Sequence, residues 1–146
     1  MDKEVTKKLL KIEKIPVTKF VVIKKEDSLK KKEEKIKTAI KQFHFPLFIK
    51  PVSLGSSVGV SKVFFEKDIK KAINNAFQYD NRIMIEKFVK GREIECSVLG
   101  NDNPKASLPG EIKPVDFYSY QAKYLNEYEA ELLVPAPLNK KQIIQV

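Results

Sequence analysis

The chain has 146 residues, which is enough for one domain with a hydrophobic core or for two small subdomains. Apolar residues make up 42% of it, and no apolar stretch approaches the roughly 20 residues that a membrane-spanning helix needs. The N-terminal segment has no apolar run after its charges, so we expect no secretory signal, no membrane contact and a cytoplasmic location. Cys96 is the only cysteine, which excludes an internal disulfide.

The net charge is +9, and two explanations compete for it. The chain could bind a polyanion, or its lysines could cover solvated faces. In the segment 24–37, acidic residues are interleaved with the lysines. Apolar residues keep a helical period there and just beyond, at Leu29, Ile36, Ile40 and Phe43. Because arginine is also nearly absent, we expect exposed helix faces and no nucleic-acid partner.

Helices and strands alternate in the first half of the chain. A first helix carries Val5, Leu9 and Ile12 on one face and is ended by Pro16. Two further helices are predicted, one containing the lysine-rich segment 24–37 and one over 66–80. Short apolar or alternating runs predict strands at 20–23, 45–50 and 58–65.

Strands follow one another in the second half. They are predicted at 82–89, 93–100 and 106–114, with turns at 90–93 and 101–104. The polar and aromatic segment 116–124 has no clean period and predicts a loop, and a helix begins at about Pro137. This order indicates the α+β class, with an antiparallel sheet and helices packed on one side of it.

The segment 50–62, KPVSLGSSVGVSK, directly follows a predicted strand and is rich in glycine and serine. Such a loop can present backbone N–H groups and hydroxyls to a phosphate. It matches neither G-x-x-x-x-G-K-[ST] nor G-x-G-x-x-G, the two common phosphate-binding patterns. A plain β-hairpin turn, with glycine for positive φ and serine for local hydrogen bonds, explains this loop equally well.

Charged residues elsewhere favour a nucleotide site. Lys50 ends the strand before the loop, and Glu86 and Lys87 lie near another strand end, in outward or lining positions. Lysines would hold phosphates and a glutamate the ribose hydroxyls, each charge-assisted hydrogen bond adding about 1.5–3 kcal/mol. Further candidates are Glu93, Lys123 and Tyr124.

Three segments, in this order and spacing, resemble the D-alanine–D-alanine ligases of the ATP-grasp superfamily: FPLFIKPVSLGSSVGVSKV, IMIEKFVKGREIECSVLG, and PGEI followed by FYSYQAKY. The opening MDKEVTKKLLKIEKIPV is similar to the family's entry into its central domain, so the resemblance covers essentially the whole chain. It implies an ATP-grasp fold and the ATP-dependent joining of two D-alanines through an acyl phosphate. That reaction supplies a peptidoglycan precursor, and so serves the bacterial cell wall and cell shape.

The resemblance assigns several residues to the phosphates of ATP. It matches three lysines to phosphate contacts: Lys3, Lys50 and Lys123. Ser56 and Ser57 match a loop that folds over the phosphates, and Ser56 would engage Tyr124 when the site closes. Ser56, Lys123 and Tyr124 are therefore the catalytic candidates. Lys3 could instead be a solvated residue in the first turn of a helix.

The resemblance places the nucleoside on other residues. Glu86, Lys87 and Val89 match the linker that lines the adenine pocket, and Glu93 matches a carboxylate that binds the ribose. Lys87 and Glu93 could instead be surface charges on a hairpin. The intact FYSYQAKY segment resembles the dipeptide-forming branch of the family, as distinct from relatives that make D-alanyl-D-lactate. The aromatic side chains in it could alternatively anchor a loop: Phe117, Tyr118 and Tyr120.

The domain prediction follows from the same resemblance. Residues 1–134 would form the central ATP-binding region, with a small α+β subdomain at about 17–88, and 135–146 would begin the C-terminal catalytic portion. The family's Mg²⁺ ligands are expected outside this chain, because no Asp or Glu follows Val134. We therefore expect a fragment that is inactive alone, from an enzyme that could be a homodimer.

Two alternatives stay open. The chain could be the ATP-binding portion of another ATP-grasp carboxylate–amine ligase. It could also be a basic nucleic-acid-binding module, which would bind with a steep salt dependence and ignore ATP.

Overall fold

The computed structural model describes residues 1–114 and 130–146. They form two compact units, Met1–Val89 and Lys90–Val146, which are described separately below. Among the residues described, no helix has the length and apolar character needed to cross a bilayer.

The first unit alternates helices and strands, as the sequence predicts. Its elements are α1 (Lys3–Ile12), β1 (Phe20–Lys24), α2 (Leu29–Phe43), β2 (Leu47–Pro51), β3 (Ser61–Val63), a 3₁₀ turn (Glu66–Asp68), α3 (Ile69–Ala76) and β4 (Arg82–Lys87). The strands form one antiparallel sheet in the order β1-β4-β2-β3. This arrangement confirms the predicted α+β class with an antiparallel sheet.

One face of this sheet carries the hydrophobic core. Ile85 lies opposite Val21 on β1 and Ile49 on β2, and side chains alternate along a strand, so the odd-numbered residues share this face. Helices α2 and α3 cover it. The buried helical residues are Ala39, Phe43, Ile69, Ala72, Ile73 and Ala76. The prediction of helices packed on one side is confirmed for α2 and α3.

The opposite face of the sheet is partly polar, and α1 lies against it. Even-numbered residues point this way, among them Lys50 and Glu86. The helix predicted from Val5, Leu9 and Ile12 is present, but these apolar side chains are 49%, 57% and 72% exposed. Helix α1 instead meets the sheet through its charged residues, as described below.

The second unit contains short strands. They are β5 (Glu93–Glu95), β6 (Val98–Leu99), β7 (Lys105–Ala106), β8 (Gly110–Pro114) and β9 (Ala130–Leu133), followed by α4 (Lys140–Gln145). Strands β5, β8 and β9 form one sheet, and β6 pairs with β7. Arg92 donates from Nε and Nη2 to the two oxygens of the buried Glu111, at 2.7 and 2.6 Å.

Several predicted element bounds are wrong. The strand predicted over 93–100 is two strands with different partners, because the chain changes sheets near Ser97, whose N–H and C=O bond to Ser107. The strand predicted over 106–114 is regular only from Gly110, and the helix over 66–80 is regular over Ile69–Ala76 after the 3₁₀ turn. Strand β9 was not predicted, and the loop expected at 116–124 lies outside the described residues.

Candidate functional site

Lys50 and Glu86 form the centre of the polar sheet face. On neighbouring strands β2 and β4, Phe48 pairs with Glu86 and Lys50 with Met84, so Lys50 and Glu86 are diagonal neighbours. Long side chains reach one another across such a diagonal. The Lys50 ammonium pairs with Oε2 of Glu86, whose residue is only 5% exposed. The charged pair is thus held in a largely dehydrated setting, where the attraction between its two charges is stronger than in water.

Lys3 lies at the adjoining edge of this face. Its Nζ donates to the carbonyl oxygens of Pro51 at 3.1 Å and Val52 at 3.4 Å, and also to that of Leu54. Burial lowers the pKa of Lys3, and the nearby charge of Lys50 lowers it further. The cationic form of Lys3 is therefore destabilised as it stands, and an anion placed between Lys3 and Lys50 would relieve that cost.

The N-terminus of α1 is fixed to the start of β4. Asp2 caps the helix by accepting the N–H of Val5 at 3.0 Å, and Arg82 pairs with both Asp2 and Glu4. The hydrogen bond to Asp2 raises the pKa of the Arg82 guanidinium, and the Val5 N–H together with Arg82 lowers the pKa of Asp2. These contacts hold Lys3, next to Asp2, at the sheet edge.

The glycine- and serine-rich loop 52–60 joins β2 to β3. These strands are antiparallel neighbours, so the loop closes a β-hairpin, as the hairpin interpretation predicts. This topology does not exclude a role in phosphate binding. Asp80 fixes the loop's start by accepting the N–H of Ser53 at 2.7 Å. Ser56, Ser57 and Gly59 have φ of 51°, 60° and 67°, in the left-handed region. Gly59 is required for space as well, since a Cβ there would lie 2.6 Å from the Tyr79 ring.

Aromatic residues border the charged cluster. Phe48, on the same sheet face as Glu86, has its ring centroid 6.0 Å from that of Phe88. The Lys62 ammonium lies over the Phe88 ring at 4.5 Å from its centroid. Flat rings of this kind offer a stacking surface for a planar group.

A comparison with known families decides where the chain belongs. The family described as "D-ala D-ala ligase C-terminus" matches residues 9–146.

The chain belongs to the D-alanine–D-alanine ligase family.

Curated relatives agree with this assignment. The chain is 46% identical over 145 residues to the D-alanine–D-alanine ligase of Halothermothrix orenii, covering 98% of this chain and 42% of the relative. It is 44% identical over 149 residues to that of Thermoanaerobacter pseudethanolicus, covering 100% of this chain and 40% of the relative. The chain thus spans about two fifths of the length of these relatives.

Solved structures of ligases share the fold. The VanG D-Ala:D-Ser ligase from Enterococcus faecalis superposes with a TM-score of 0.83 at 32% identity, over 99% of this chain and 41% of that chain. The D-alanine–D-alanine ligase from Coxiella burnetii gives 0.75 at 35% identity, over 99% of this chain and 36% of that chain. The ATP-grasp fold expected from the sequence is therefore confirmed.

The structure brings together part of the site predicted for this ligase family. Lys3, Lys50 and Glu86 lie on one sheet face, with Ser56 and Ser57 on the adjoining loop. Glu86, expected to point outward or to line the site, is buried by its ion pairs. Lys87 and Val89 are exposed at and beyond the end of β4, and Glu93 is exposed on β5 of the second unit. Two predicted residues lie outside the described residues: Lys123 and Tyr124.

Neither Lys7, which pairs with Oε1 of Glu86, nor Arg82, which anchors α1, was selected from the sequence. The signal for Lys7 was present, because residues four apart on a helix share a face and Lys7 is four after Lys3. The signal for Arg82 was absent, since its partners Asp2 and Glu4 lie at the other end of the unit's sequence.

A metal site does not emerge from the residues that can be described. Within 1–114 and 130–146, no three His, Cys, Asp or Glu side chains are grouped closely enough to hold a metal ion. These residues therefore do not fit a Mg²⁺ site. A separate surface cleft of about 570 Å³ lies on α3, away from the Lys50 cluster, and is lined by Lys67, Lys70, Lys71, Asn74, Asn75 and Gln78.

Proposed function

We propose that the polar sheet face around Lys50 binds the phosphates of ATP, in an enzyme that ligates two D-alanines in the cytoplasm for peptidoglycan synthesis. The observation that best supports this proposal is the cluster of Lys3, Lys50 and Glu86 beside the glycine- and serine-rich loop, in a chain of this ligase family. Cations beside a positive-φ loop are suited to a polyphosphate, because they neutralise its charge without large rearrangement.

The chemistry of such a ligation sets what the chain must do. The γ-phosphoryl group passes from ATP to the carboxylate of the first D-alanine, giving an acyl phosphate and ADP. The amine of the second D-alanine then attacks the acyl carbon, and phosphate leaves. Lys50 and Lys3 would neutralise charge on the phosphoryl oxygens, and the loop with Ser56 and Ser57 would cover them and exclude water.

The remaining site assignments stay proposals. Lys123 would add a further cation at the phosphates, and Tyr124 would meet Ser56 as the site closes. Glu86, Lys87 and Val89 would line the adenine pocket, and Glu93 would bind the ribose. We propose that Mg²⁺ would be held by residues outside this chain, where it would supply positive charge for the phosphoryl transfer. A homodimer of the whole enzyme is part of the same proposal.

Calorimetric titration of the 146-residue chain with ATP, and separately with adenosine, tests the proposal. Replacing Lys50 by Met should weaken ATP binding by about ten-fold or more, because one charge-assisted hydrogen bond is worth about 1.5–3 kcal/mol. Adenosine binding should be unchanged. Lys30→Met, on the exposed surface of α2, is the charge-matched control and should leave ATP binding as in the wild type. Equal ATP affinity in all three proteins would contradict the proposal.

We expect the chain alone to show no ADP release that depends on D-alanine. Its described residues group no acidic side chains that could hold the metal. A coupled assay with ATP, Mg²⁺ and D-alanine measures this directly, and turnover would overturn the expectation.

A second candidate is ligation of D-alanine to a different amine or acid. It is favoured by the likeness to VanG, named a D-Ala:D-Ser ligase, at a TM-score of 0.83. Supplying D-alanine with D-serine or D-lactate to the whole enzyme and identifying the products separates the candidates. A product containing only D-alanine supports the first proposal.

The nucleic-acid alternative is tested on the same chain. It requires binding to DNA or RNA that falls steeply with salt and is indifferent to ATP. Asp27, just before α2, pairs with Lys31 and Lys35 of that helix, which argues against this alternative because it neutralises part of the lysine surface.

A further inference from the structure

Lys7 shares one carboxylate with Lys50 while lying on a different element. Its ammonium pairs with Oε1 of Glu86 from helix α1, whereas Lys50 pairs with Oε2 from strand β2. The side chain of Lys7 is 16% exposed, and that of Glu86 is 7% exposed. Each oxygen of a nearly buried carboxylate therefore has its own cation.

This arrangement bears on how Lys50 could reach a phosphate. In the structure the charge of Lys50 is neutralised by Glu86. If Lys50 turned towards a ligand and Glu86 had no other partner, a largely buried carboxylate would be left uncompensated, and that is strongly unfavourable. With Lys7 on the other oxygen, Glu86 keeps a counter-ion when Lys50 moves.

We propose that Lys7 is a positioning residue for ATP binding: it stays paired with Glu86 and so allows Lys50 to leave Glu86 and bind the phosphates. This inference rests on the function proposed above and adds to it a residue that neither the sequence motifs nor the family match assigns. Lys7 acts through Glu86, without touching the nucleotide.

The surroundings of Lys7 fit a fixed role. Its ammonium lies over the ring of Phe20, 5.7 Å from the centroid, which adds a cation–π contact to its ion pair with Glu86. The helix that carries it is fixed at its N-terminus by the pairs of Arg82 with Asp2 and Glu4. The neighbouring Lys8 points elsewhere, pairing with Glu4, and is 64% exposed.

The test compares ATP and adenosine affinities by calorimetry in variants of the 146-residue chain. Lys7→Met should weaken ATP binding about ten-fold, which corresponds to about 1.4 kcal/mol, because Glu86 then holds Lys50 more firmly. Adenosine affinity should not change. Lys7→Arg should restore most of the ATP affinity, and Lys8→Met, the matched control on the same helix, should behave as the wild type.

A double-mutant cycle separates positioning from direct contact. In a Glu86→Gln background Lys7 has no carboxylate to pair with, so adding Lys7→Met should change ATP affinity by less than about two-fold. If the full ten-fold loss persists in that background, Lys7 contacts the phosphates itself and the inference is overturned.

The remaining outcomes are also decisive. A Lys7→Met chain that melts at a lower temperature but binds ATP as the wild type would make Lys7 merely structural and overturn the inference alone. A wild-type chain that does not bind ATP would overturn the proposed function, and the inference with it.

Discussion

At the scale of single residues, Lys50 shows what the sequence can and cannot reveal. Its place at a strand end before a glycine- and serine-rich loop was enough to select it as a candidate. Its ion pair with Glu86 could not be predicted, because that pair depends on the register between β2 and β4, strands that are far apart in the sequence. The proposed role of Lys7 depends in addition on which face of α1 lies against the sheet. The amphipathic pattern would turn the apolar face towards the sheet, but Val5, Leu9 and Ile12 are exposed.

Lys3 yields a prediction about proton uptake. Burial and Lys50 lower the pKa of Lys3 in the free protein, and a phosphate would raise it again. At a pH near the lowered value, part of the Lys3 population is neutral, so ATP binding must take up protons. Titrations at alkaline pH values below the ordinary lysine pKa of about 10.4, each in two buffers with different ionisation enthalpies, measure this uptake. We expect net uptake in the wild type and a smaller value in Lys3→Met; equal values would place Lys3 away from the phosphates.

At the scale of elements, the long periodic segments were predicted well and the short ones were not. The apolar period of α2 correctly places Phe43 in the core with Ile36 and Ile40 packed against it, but Leu29, which shares the period, is 78% exposed. Alternation over 93–100 predicts a strand but does not say which neighbour it pairs with, so the change of partner near Ser97 was missed. The loop 52–60 was recognised from its composition, while its fixation by Asp80 is a tertiary contact.

The loop gives a prediction with a matched control. Gly59→Ala should lower the free energy of unfolding by about 1–3 kcal/mol, because it forces a Cβ into a left-handed backbone and against Tyr79 and Pro51. Gly55→Ala, where a Cβ meets nothing within 4 Å, should stay within about 0.5 kcal/mol of the wild type. Urea unfolding followed by circular dichroism measures both, and equal effects would contradict the loop conformation described.

Asp27, between β1 and α2, yields a prediction about pH. Its buried carboxylate accepts Lys35 at 2.6 Å, the N–H of Lys24 at 3.0 Å and Lys31 at 2.9 Å, which together hold its pKa far below the ordinary value. A depressed folded-state pKa means that the stabilisation is complete above the unfolded value of about 3.9 and is lost as the pH falls towards the folded one.

Asp27→Asn should therefore lower the urea midpoint clearly at neutral pH, and the difference from the wild type should shrink at about pH 2.5. The exposed Glu26→Gln is the control and should shift the midpoint little at either pH. A difference for Asp27→Asn that does not depend on pH would show that its ion pairs do not stabilise the fold.

At the scale of the whole molecule, the resemblance to a known family predicted more than composition and periodicity did. Composition and periodicity gave the α+β class, whereas the order of three motifs gave the family, which the match over residues 9–146 confirms. The division into a region 1–134 with a subdomain at about 17–88 stays a prediction, as do the roles of Lys123 and Tyr124. The two compact units, Met1–Val89 and Lys90–Val146, are a finding that the motifs did not indicate.

The central claim is that the sheet face carrying Lys50 binds the phosphates of ATP. A crystal structure of the chain with a non-hydrolysable ATP analogue tests it most directly. We predict the Lys50 Nζ at about 2.7–2.9 Å from a phosphate oxygen, with Lys7 still paired to Glu86. Phosphates bound instead at the α3 cleft of Lys67, Lys70 and Lys71, with Lys50 left on Glu86, would contradict the account.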